Sequence, residues 1–219
     1  MKYPKAILFD FDGVIVDSFD AHYEAWKSAF FKLFNTQIPA FPHHTHTGKS
    51  PMLIAKYFCE KINKTDRTKD LFNLKAMYLH QGLLVPKLLP GVHEMTQHLL
   101  LKNIPFGIAS NATKLFIKNS VNQLNLNFKI YMGVEDYEFP KPHPEAYISL
   151  AKKLKIDSKH YCRTWVFEDS VTGTKAAKSA GMIPIGILTQ HSKEELKNAG
   201  SKLVFSTLLE AFKYLKTLR

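Results

Sequence analysis

Two aspartates, Asp10 and Asp12, follow an apolar run near the start of the chain, in the stretch FDFDGVIVDS, and Gly13 comes directly after them. An Asp-Gly pair is a common way to leave a strand, so this stretch alone predicts a turn. The alternative is that both acids serve a phosphoryl-transfer site, a chemistry that depends on positioning and charge neutralisation. The other polar motifs of the chain must decide between the two interpretations.

Three further polar stretches are predicted to follow strands: Ser110-Asn111, Lys141–Pro144 and Glu168–Ser170. In an open parallel sheet the carboxyl ends of the strands line one crevice, and ligands bind there. The two-residue period of a strand would place Asp10 and Asp12 on the same side, provided that the chain stays extended. We therefore expect all four motifs to meet at one rim of a sheet.

The charges at that rim indicate a cation and an anionic ligand. Four carboxylates would converge there, those of Asp10, Asp12, Glu168 and Asp169. They would repel one another strongly, and a bound hard cation such as Mg2+ is the usual resolution. The ammonium of Lys141 and the hydroxyl of Ser110 would then hold the oxygens of an anionic ligand.

The elements that must position these residues alternate along the chain. Short β-branched apolar runs predict six strands: Ala6–Phe9, Pro105–Ala109, Ile130–Val134, Thr164–Phe167, Ile183–Leu188 and Leu203–Phe205. Amphipathic stretches between them predict helices, including Thr113–Leu124, Pro144–Leu154, Thr172–Ala180 and Thr207–Leu218. This alternation is typical of an α/β fold with a three-layer, doubly wound parallel sheet that helices cover on both faces.

The region from Asp17 to Leu84 breaks the alternation, because it shows helical periodicity and no convincing strand. Its apolar residues recur at three- and four-residue spacing from Phe19 to Leu33. We expect a small helical domain at residues 17–84, inserted into an α/β domain made of residues 1–16 and 85–219. Turn residues at both crossings favour a hinge between the two domains.

Composition limits the class of protein. With 219 residues and 45% hydrophobic content, the chain is expected to be globular, with one large domain or two smaller ones. It contains no run of eighteen uninterrupted apolar residues, so no membrane partner is expected. The N-terminal residues show no long apolar run before the first acids, and the two cysteines are far apart. These features predict a protein without a signal peptide that works in the reducing cytoplasm.

The formal net charge of +11 raises the question of a nucleic-acid partner. The lysines are scattered singly or in pairs, and no arginine-rich arm or block of five or six basic residues occurs. We interpret most of them as solvated helix faces and expect no nucleic-acid partner. A non-catalytic nucleic-acid-binding protein stays a remote alternative.

Taken in order, the stretches DxDGxxxDS, SN, KPHPEAY and FEDSxxGxxAAxxAG resemble the four motifs of the haloacid dehalogenase superfamily. The helical insertion is similar to the small cap of the phosphatase and phosphosugar-mutase subgroup of that superfamily. The resemblance covers essentially the whole chain. It implies a Rossmann-like core, a helical cap that closes over the crevice, and a monomer.

For individual residues, the resemblance implies a two-step mechanism. Asp10 would be the nucleophile that forms an aspartyl-phosphate, and Asp12 would be first the general acid and then the general base. Mg2+ would be held by four residues: Asp10, Asp12 through its backbone carbonyl, Glu168 directly or through water, and Asp169. The phosphate would be bound by three groups: Ser110, the backbone amide of Asn111, and Lys141.

The residues around these motifs indicate which reaction of the superfamily this chain is expected to catalyse. An acid at Asp12 favours phosphomonoester chemistry over the carbon–halogen cleavage that other members of the superfamily perform. The first cap helix, with His22, resembles that of β-phosphoglucomutases, whose histidine lies near the substrate. The mutase pattern has an arginine where this chain has Pro51, and Lys49 would be a poorer phosphate fork. A phosphatase for a small phosphorylated metabolite, such as a sugar phosphate, is therefore favoured, and a phosphosugar mutase is the alternative.

A histidine cluster in the predicted cap loop consists of His43, His44 and His46. No cysteine or carboxylate, which would complete a typical zinc site, lies close to it in the sequence. We therefore interpret the cluster as part of the cap loop that could touch the substrate, rather than as a metal site.

Overall fold

The computed structural model describes residues 1–40 and 51–218. The strands are β1 (Ala6–Phe9), β2 (Val16–Asp17), β3 (Lys87–Leu88), β4 (Phe106–Ala109), β5 (Tyr131–Met132), β6 (Thr164–Glu168), β7 (Ile183–Ile187) and β8 (Leu203–Phe205). The α-helices within the described residues are α1 (Phe19–Phe34), α2 (Pro51–Lys61), α3 (Thr68–His80), α4 (Val92–Leu101), α5 (Lys114–Gln123), α6 (Glu145–Lys153), α7 (Val171–Ser179), α8 (Lys193–Ala199) and α9 (Leu208–Leu215).

The chain forms two compact units, one of Met1–Asp17 with Lys87–Arg219 and one of Ser18–Pro86. The first is an α/β unit and the second a helical unit. These boundaries lie within two residues of the domain boundaries expected at residues 16/17 and 84/85. The role of the helical unit as a cap stays a prediction.

The α/β unit is built on a six-stranded parallel sheet in the order β5-β4-β1-β6-β7-β8, with helices on both sides. The strand order runs outward from β1 in both directions, as in a doubly wound sheet. The predicted fold class is confirmed. Strands β4 and β1 directly precede Ser110 and Asp10, and β6 ends at Glu168.

Strand β1 is fully buried over all four residues of its AILF sequence. Such a strand needs apolar side chains on both faces, because helices cover both faces of a parallel sheet. Phe9, its last residue, lies opposite Ile108 of β4 and Phe167 of β6. The chain therefore leaves all three central strands at one level, where the motif residues begin.

A second, two-stranded antiparallel sheet pairs β2 with β3, with Val16 opposite Leu88 and Asp17 opposite Lys87. Neither strand was among the six predicted from the sequence, because two residues are too few to show an alternating pattern. Both strands lie in the α/β unit, at the two points where the chain leaves it and returns.

The helical unit has its own apolar core, in which α1, α2 and α3 meet around Trp26, Phe30, Phe58 and Leu71. The apolar stripe predicted on the first helix supplies Trp26 and Phe30, whose side chains are buried. Phe19 and Tyr23, at the start of the stripe, stack on each other with ring centroids 6.0 Å apart. Among the described residues, no helix combines the length and apolar character needed to cross a membrane.

Candidate active site

The ammonium of Lys141 lies between two carboxylates at the carboxyl end of the central strands. Its Nζ atom is 2.7 Å from Asp10 Oδ1 and 2.7 Å from Glu168 Oε1. Asp10 directly follows β1, and its backbone N–H donates to the carbonyl of Phe167 on β6. The Glu168 side chain is fully buried, and that of Lys141 is 3% exposed. Burying each of these ions alone would cost free energy. The attraction between them offsets that cost only when their geometry is good, as it is here.

Asp169 completes a cluster of three buried carboxylates with Asp10 and Glu168. One oxygen from each of the three lies within 4.8 Å of the others. Hard carboxylate oxygens are the ligands that Mg2+ and Ca2+ prefer, so the donor set fits a divalent cation of this class. Three carboxylates facing one ammonium also leave an excess of negative charge that such a cation would neutralise.

The chain after β1 turns sharply and brings Gly13 against Asp169. Gly13 has a φ of +75°, and a Cβ atom there would overlap the Asp169 carboxylate. Only glycine satisfies both conditions, so the turn that the Asp-Gly pair predicts is also part of the site. The Thr189 hydroxyl follows β7 and lies 2.6 Å from the Gly13 carbonyl and 3.0 Å from Asp169 Oδ2.

Burial shifts the pKa values of these groups. It raises the pKa of Asp10 to about 7, because loss of water disfavours the carboxylate; Lys141 opposes this rise. Burial also raises the pKa of Asp169 well above its ordinary value, and the Asp10 carboxylate adds to the effect. For Lys141, burial alone would lower the pKa, but Asp10 and Glu168 outweigh it and raise that pKa. A bound divalent cation would favour the charged carboxylates again.

Ser110 and Asn111 follow β4 and hold the loop that carries Lys141. The Asn111 Oδ1 atom accepts hydrogen bonds from the Tyr137 hydroxyl, at 3.1 Å, and from the Lys141 backbone N–H, at 3.3 Å. The Tyr137 hydroxyl also lies 2.5 Å from the Ser110 carbonyl. The Ser110 side chain is buried, and its Oγ accepts from the backbone N–H of Ala112. The Ser110-Asn111 motif therefore positions the loop that carries Lys141.

Two details of the expected arrangement are wrong. Lys141 does not follow a strand end; its loop runs from a short 3-10 helix, Val134–Asp136, to α6, and hydrogen bonds to Asn111 place it. The chain also does not stay extended from Asp10 to Asp12. The carbonyl of Phe11 accepts from the backbone N–H groups of three following residues, Val14, Ile15 and Val16, and Asp12 forms an isolated β-bridge with Val16.

Of the residues expected to contact substrate from the cap, the described part of the chain includes only His22. His22 lies on α1 of the helical unit, with Nδ1 2.8 Å from the ammonium of Lys75, a buried lysine on α3. Burial, and then Lys75, lower the pKa of His22 well below its ordinary value. Lys49 and the histidines at 43, 44 and 46 lie outside the described residues, so their predictions stay open.

Side chains that contact the motif residues but were given no role in the sequence analysis include Tyr137, Tyr147, Ser170, Thr189 and His191. Tyr147 and Ser170 both donate a hydroxyl to Glu168. Tyr147 stands within the KPHPEAY stretch and Ser170 within FEDS, so the signal was present in the motifs. A tyrosine at a helical apolar position is ordinarily assigned to the core, and only the contact shows its second role.

Gly173, in the first turn of α7, is expected to be essential for the site. A Cβ atom there would overlap the Glu168 carboxylate. Gly173→Ala should therefore displace Glu168 and Lys141, and kcat should fall about 100-fold, because a misplacement of about 1 Å in a catalytic site can cost that much. Steady-state kinetics checks this, with the exposed Lys175→Ala in the same helix as the control. Wild-type turnover in the glycine variant would contradict the tight contact.

Known proteins are similar to this chain in both sequence and fold. Residues 7–187 match the family model described as haloacid dehalogenase-like hydrolase. The 2-deoxyglucose-6-phosphate phosphatase 2 of Saccharomyces cerevisiae is 27% identical over 218 residues, covering 93% of this chain and 87% of that protein. The β-phosphoglucomutase of Bacillus subtilis is 27% identical over 195 residues, covering 84% of this chain and 83% of that protein.

A solved structure has a fold similar to that of this chain. The β-phosphoglucomutase from Clostridium difficile matches 99% of this chain and 96% of its own, with a TM-score of 0.76 and 25% sequence identity. The matched family region includes β4, β6 and all of β1 except Ala6, together with Asp10, Lys141 and the Glu168-Asp169 pair. As its four motifs predict, the chain belongs to the haloacid dehalogenase-like hydrolases.

Proposed function

We propose that the protein is a Mg2+-dependent phosphatase that hydrolyses a small phosphorylated metabolite through an aspartyl-phosphate on Asp10. The observation that carries this proposal is the Asp10 carboxylate, which is buried at the end of β1, paired with Lys141 and close to Asp169. A carboxylate in such a position can attack phosphorus, and the ammonium beside it neutralises charge on the transferring group.

The reaction would take place in two displacements. In the first, an Asp10 oxygen bonds to phosphorus, the bond to the leaving oxygen breaks, and Asp12 gives that oxygen a proton. In the second, Asp12 takes a proton from water, the water oxygen attacks phosphorus, and inorganic phosphate leaves Asp10. Lys141, the Ser110 hydroxyl and the backbone amide of Asn111 would bind the phosphate oxygens throughout.

Magnesium is supported by the chemistry of the acidic cluster. Asp10 and Asp169 would hold the ion through their carboxylates and Asp12 through its carbonyl, with Glu168 contributing directly or through water. When bound, the ion would neutralise charge on the carboxylates and the phosphoryl group.

Relatives support a sugar phosphate as substrate, since one is named for 2-deoxyglucose 6-phosphate and others are β-phosphoglucomutases. The mutase names also favour a second candidate function, the transfer of a phosphoryl group within a sugar phosphate. The two functions differ in product. Incubation with β-glucose 1-phosphate and a bisphosphate primer should release inorganic phosphate if the protein is a phosphatase, and should form glucose 6-phosphate if it is a mutase.

Removal of the metal is expected to stop the reaction. A panel of sugar phosphates, glycerol phosphate, phosphoglycolate, nucleotides and p-nitrophenyl phosphate should show phosphate release with Mg2+. In EDTA the rate should fall by at least about 100-fold, because a metal ion supplies several kcal/mol of charge stabilisation, and added Mg2+ should restore it. Undiminished release in EDTA would contradict the metal requirement, and no release from any member of the panel would contradict the phosphatase.

A further inference from the structure

The carboxylate of Glu168 has every acceptor position occupied by protein. Its Oε1 atom accepts from the Lys141 ammonium, at 2.7 Å, and from the Tyr147 hydroxyl. Its Oε2 atom accepts from the Ser170 hydroxyl, at 2.8 Å, and from the Ser170 backbone N–H, at 3.3 Å. A carboxylate offers about four lone-pair positions, so four donors saturate it. A metal ion could bind Glu168 directly only by displacing one of these donors.

Tyr147 contacts both members of the Lys141–Glu168 pair. Its side chain is fully buried on α6. Its hydroxyl donates to Glu168, and the face of its ring lies 4.6 Å from the Lys141 ammonium, within the range of a cation–π interaction. One side chain therefore constrains the carboxylate and the ammonium together.

The helix that carries Tyr147 is fastened to the loop that carries Lys141. Glu145, at the start of α6, accepts hydrogen bonds from the backbone N–H groups of Glu138, at 3.1 Å, and Phe139, at 2.9 Å. Both residues precede Lys141 in its loop. Tyr147 and Lys141 are therefore held in one local unit, which makes their contact a fixed feature of the site.

The ammonium of Lys141 has three hydrogens, and two of them point to Asp10 and Glu168. Because the group is tetrahedral, fixing two hydrogens also fixes the direction of the third. Only that hydrogen remains for an anionic ligand. A contact that fixes the position of the Glu168 carboxylate therefore also fixes the direction of this third Lys141 hydrogen.

We propose that Tyr147 is a positioning residue: with the Ser170 hydroxyl it fixes Glu168 as the anchor of Lys141, and Glu168 is not a direct ligand of the metal. The proposal rests on the phosphatase function proposed above. It leaves Asp10 and Asp169 as the carboxylate ligands, and it assigns Glu168 to the alignment of the phosphate-binding ammonium.

The test is Tyr147→Phe, which removes only the hydroxyl and keeps the ring and its packing. We expect kcat to fall about 10-fold, which corresponds to one lost hydrogen bond to a charged group, with KM changed less than kcat. Calorimetry should show weaker binding of inorganic phosphate and a Mg2+ Kd within about threefold of wild type. A hydroxyl that orients a direct metal ligand would instead change metal affinity by about 10- to 100-fold when removed.

Two further variants make the test specific. Tyr3→Phe removes a hydroxyl that is hydrogen-bonded to His98 at 2.7 Å, outside the site, and should change none of these quantities. Ser170→Gly removes the other hydroxyl on Glu168 and keeps a residue that suits a helix N-cap. It should repeat the pattern of Tyr147→Phe, with lower kcat and unchanged Mg2+ affinity.

The outcomes separate this proposal from the phosphatase function. Wild-type kcat and wild-type phosphate affinity in Tyr147→Phe would overturn it, as would a Mg2+ Kd raised 10-fold or more. If the wild-type protein released no phosphate from any substrate, the phosphatase function would fall. The calorimetric measurements of phosphate and Mg2+ would still decide whether Tyr147 positions Lys141.

Discussion

Asp10→Asn is expected to abolish phosphate release, with kcat lowered by about 10,000-fold or more, as when the nucleophile of other covalent enzymes is removed. The substitution keeps the shape of the side chain, but an amide oxygen is too weak a nucleophile to attack phosphorus. The measurement is steady-state phosphate release from p-nitrophenyl phosphate, or from the best substrate of the panel, at saturating Mg2+.

A matched control is Asp157→Asn in the same unit. Asp157 is an exposed residue that caps a short 3-10 helix, and asparagine caps helices equally well. This variant makes the same change of charge and should keep kcat within about twofold of wild type, as expected of a surface substitution. An Asp10→Asn enzyme with normal turnover would show that Asp10 is not the nucleophile.

Lys141→Met should reduce both activity and stability. Loss of a charge that stabilises the transition state typically costs about 100- to 1,000-fold in kcat. The variant would also leave Asp10 and Glu168 buried without their cation, and breaking a buried pair in this way costs about 3–5 kcal/mol in the free energy of unfolding. Denaturant titration of the metal-free protein, alongside the kinetics, measures both losses.

The stability loss in Lys141→Met should depend on pH. The pKa of Asp10 is raised from 3.8 to about 7 in the folded wild-type protein, so the folded state holds this proton more tightly than the unfolded state. Asp10 therefore lowers metal-free stability progressively as pH rises from about 4 to about 7. Without Lys141 the charged carboxylate is still less favourable, so the variant should lose more stability at pH 8 than at pH 5.

The exposed pair of Lys159 and Asp157, 2.8 Å apart, provides the control for this experiment. Lys159→Met removes a lysine from an ion pair as well, but solvent screens that pair, so stability and kcat should not change measurably. If Lys141→Met unfolded at the same denaturant concentration as wild type at pH 8, the buried salt bridge would have no net role in stability.

The central strands could be predicted because their signal is local. A run such as AILF, followed by acids and a glycine, allows few other structures in an alternating chain, and the strand bounds of β1 and β8 match the prediction. The family motifs then predicted which residues meet. Asp10, Lys141, Glu168 and Asp169 are brought together as expected. The chemical roles of these residues stay predictions.

Two of the failures, those at Lys141 and Tyr147, depend on contacts between residues far apart in sequence, whereas the third is local. Lys141 reaches the site through hydrogen bonds to Asn111 and through the Tyr137 contact, which no local pattern encodes. The course of the chain from Asp10 to Asp12 is decided by the turn at Gly13, not by the period of the preceding strand. Tyr147 has the spacing of a core residue, and its hydroxyl contact depends on where β6 ends.

The antiparallel pairing of β2 with β3 has a consequence for how such a protein can change. Asp17 and Lys87 lie opposite each other, and the Leu89 N–H donates to the Ile15 carbonyl at 3.0 Å, so the two ends of the inserted segment are joined within the α/β unit. Antiparallel neighbours can be connected by as little as a two-residue hairpin. Evolution can therefore lengthen, shorten or exchange everything between those two residues while the carboxylates keep their places. Under the proposed function, in which the inserted unit acts as a cap that selects the substrate, selectivity and the carboxylate site could then diversify independently.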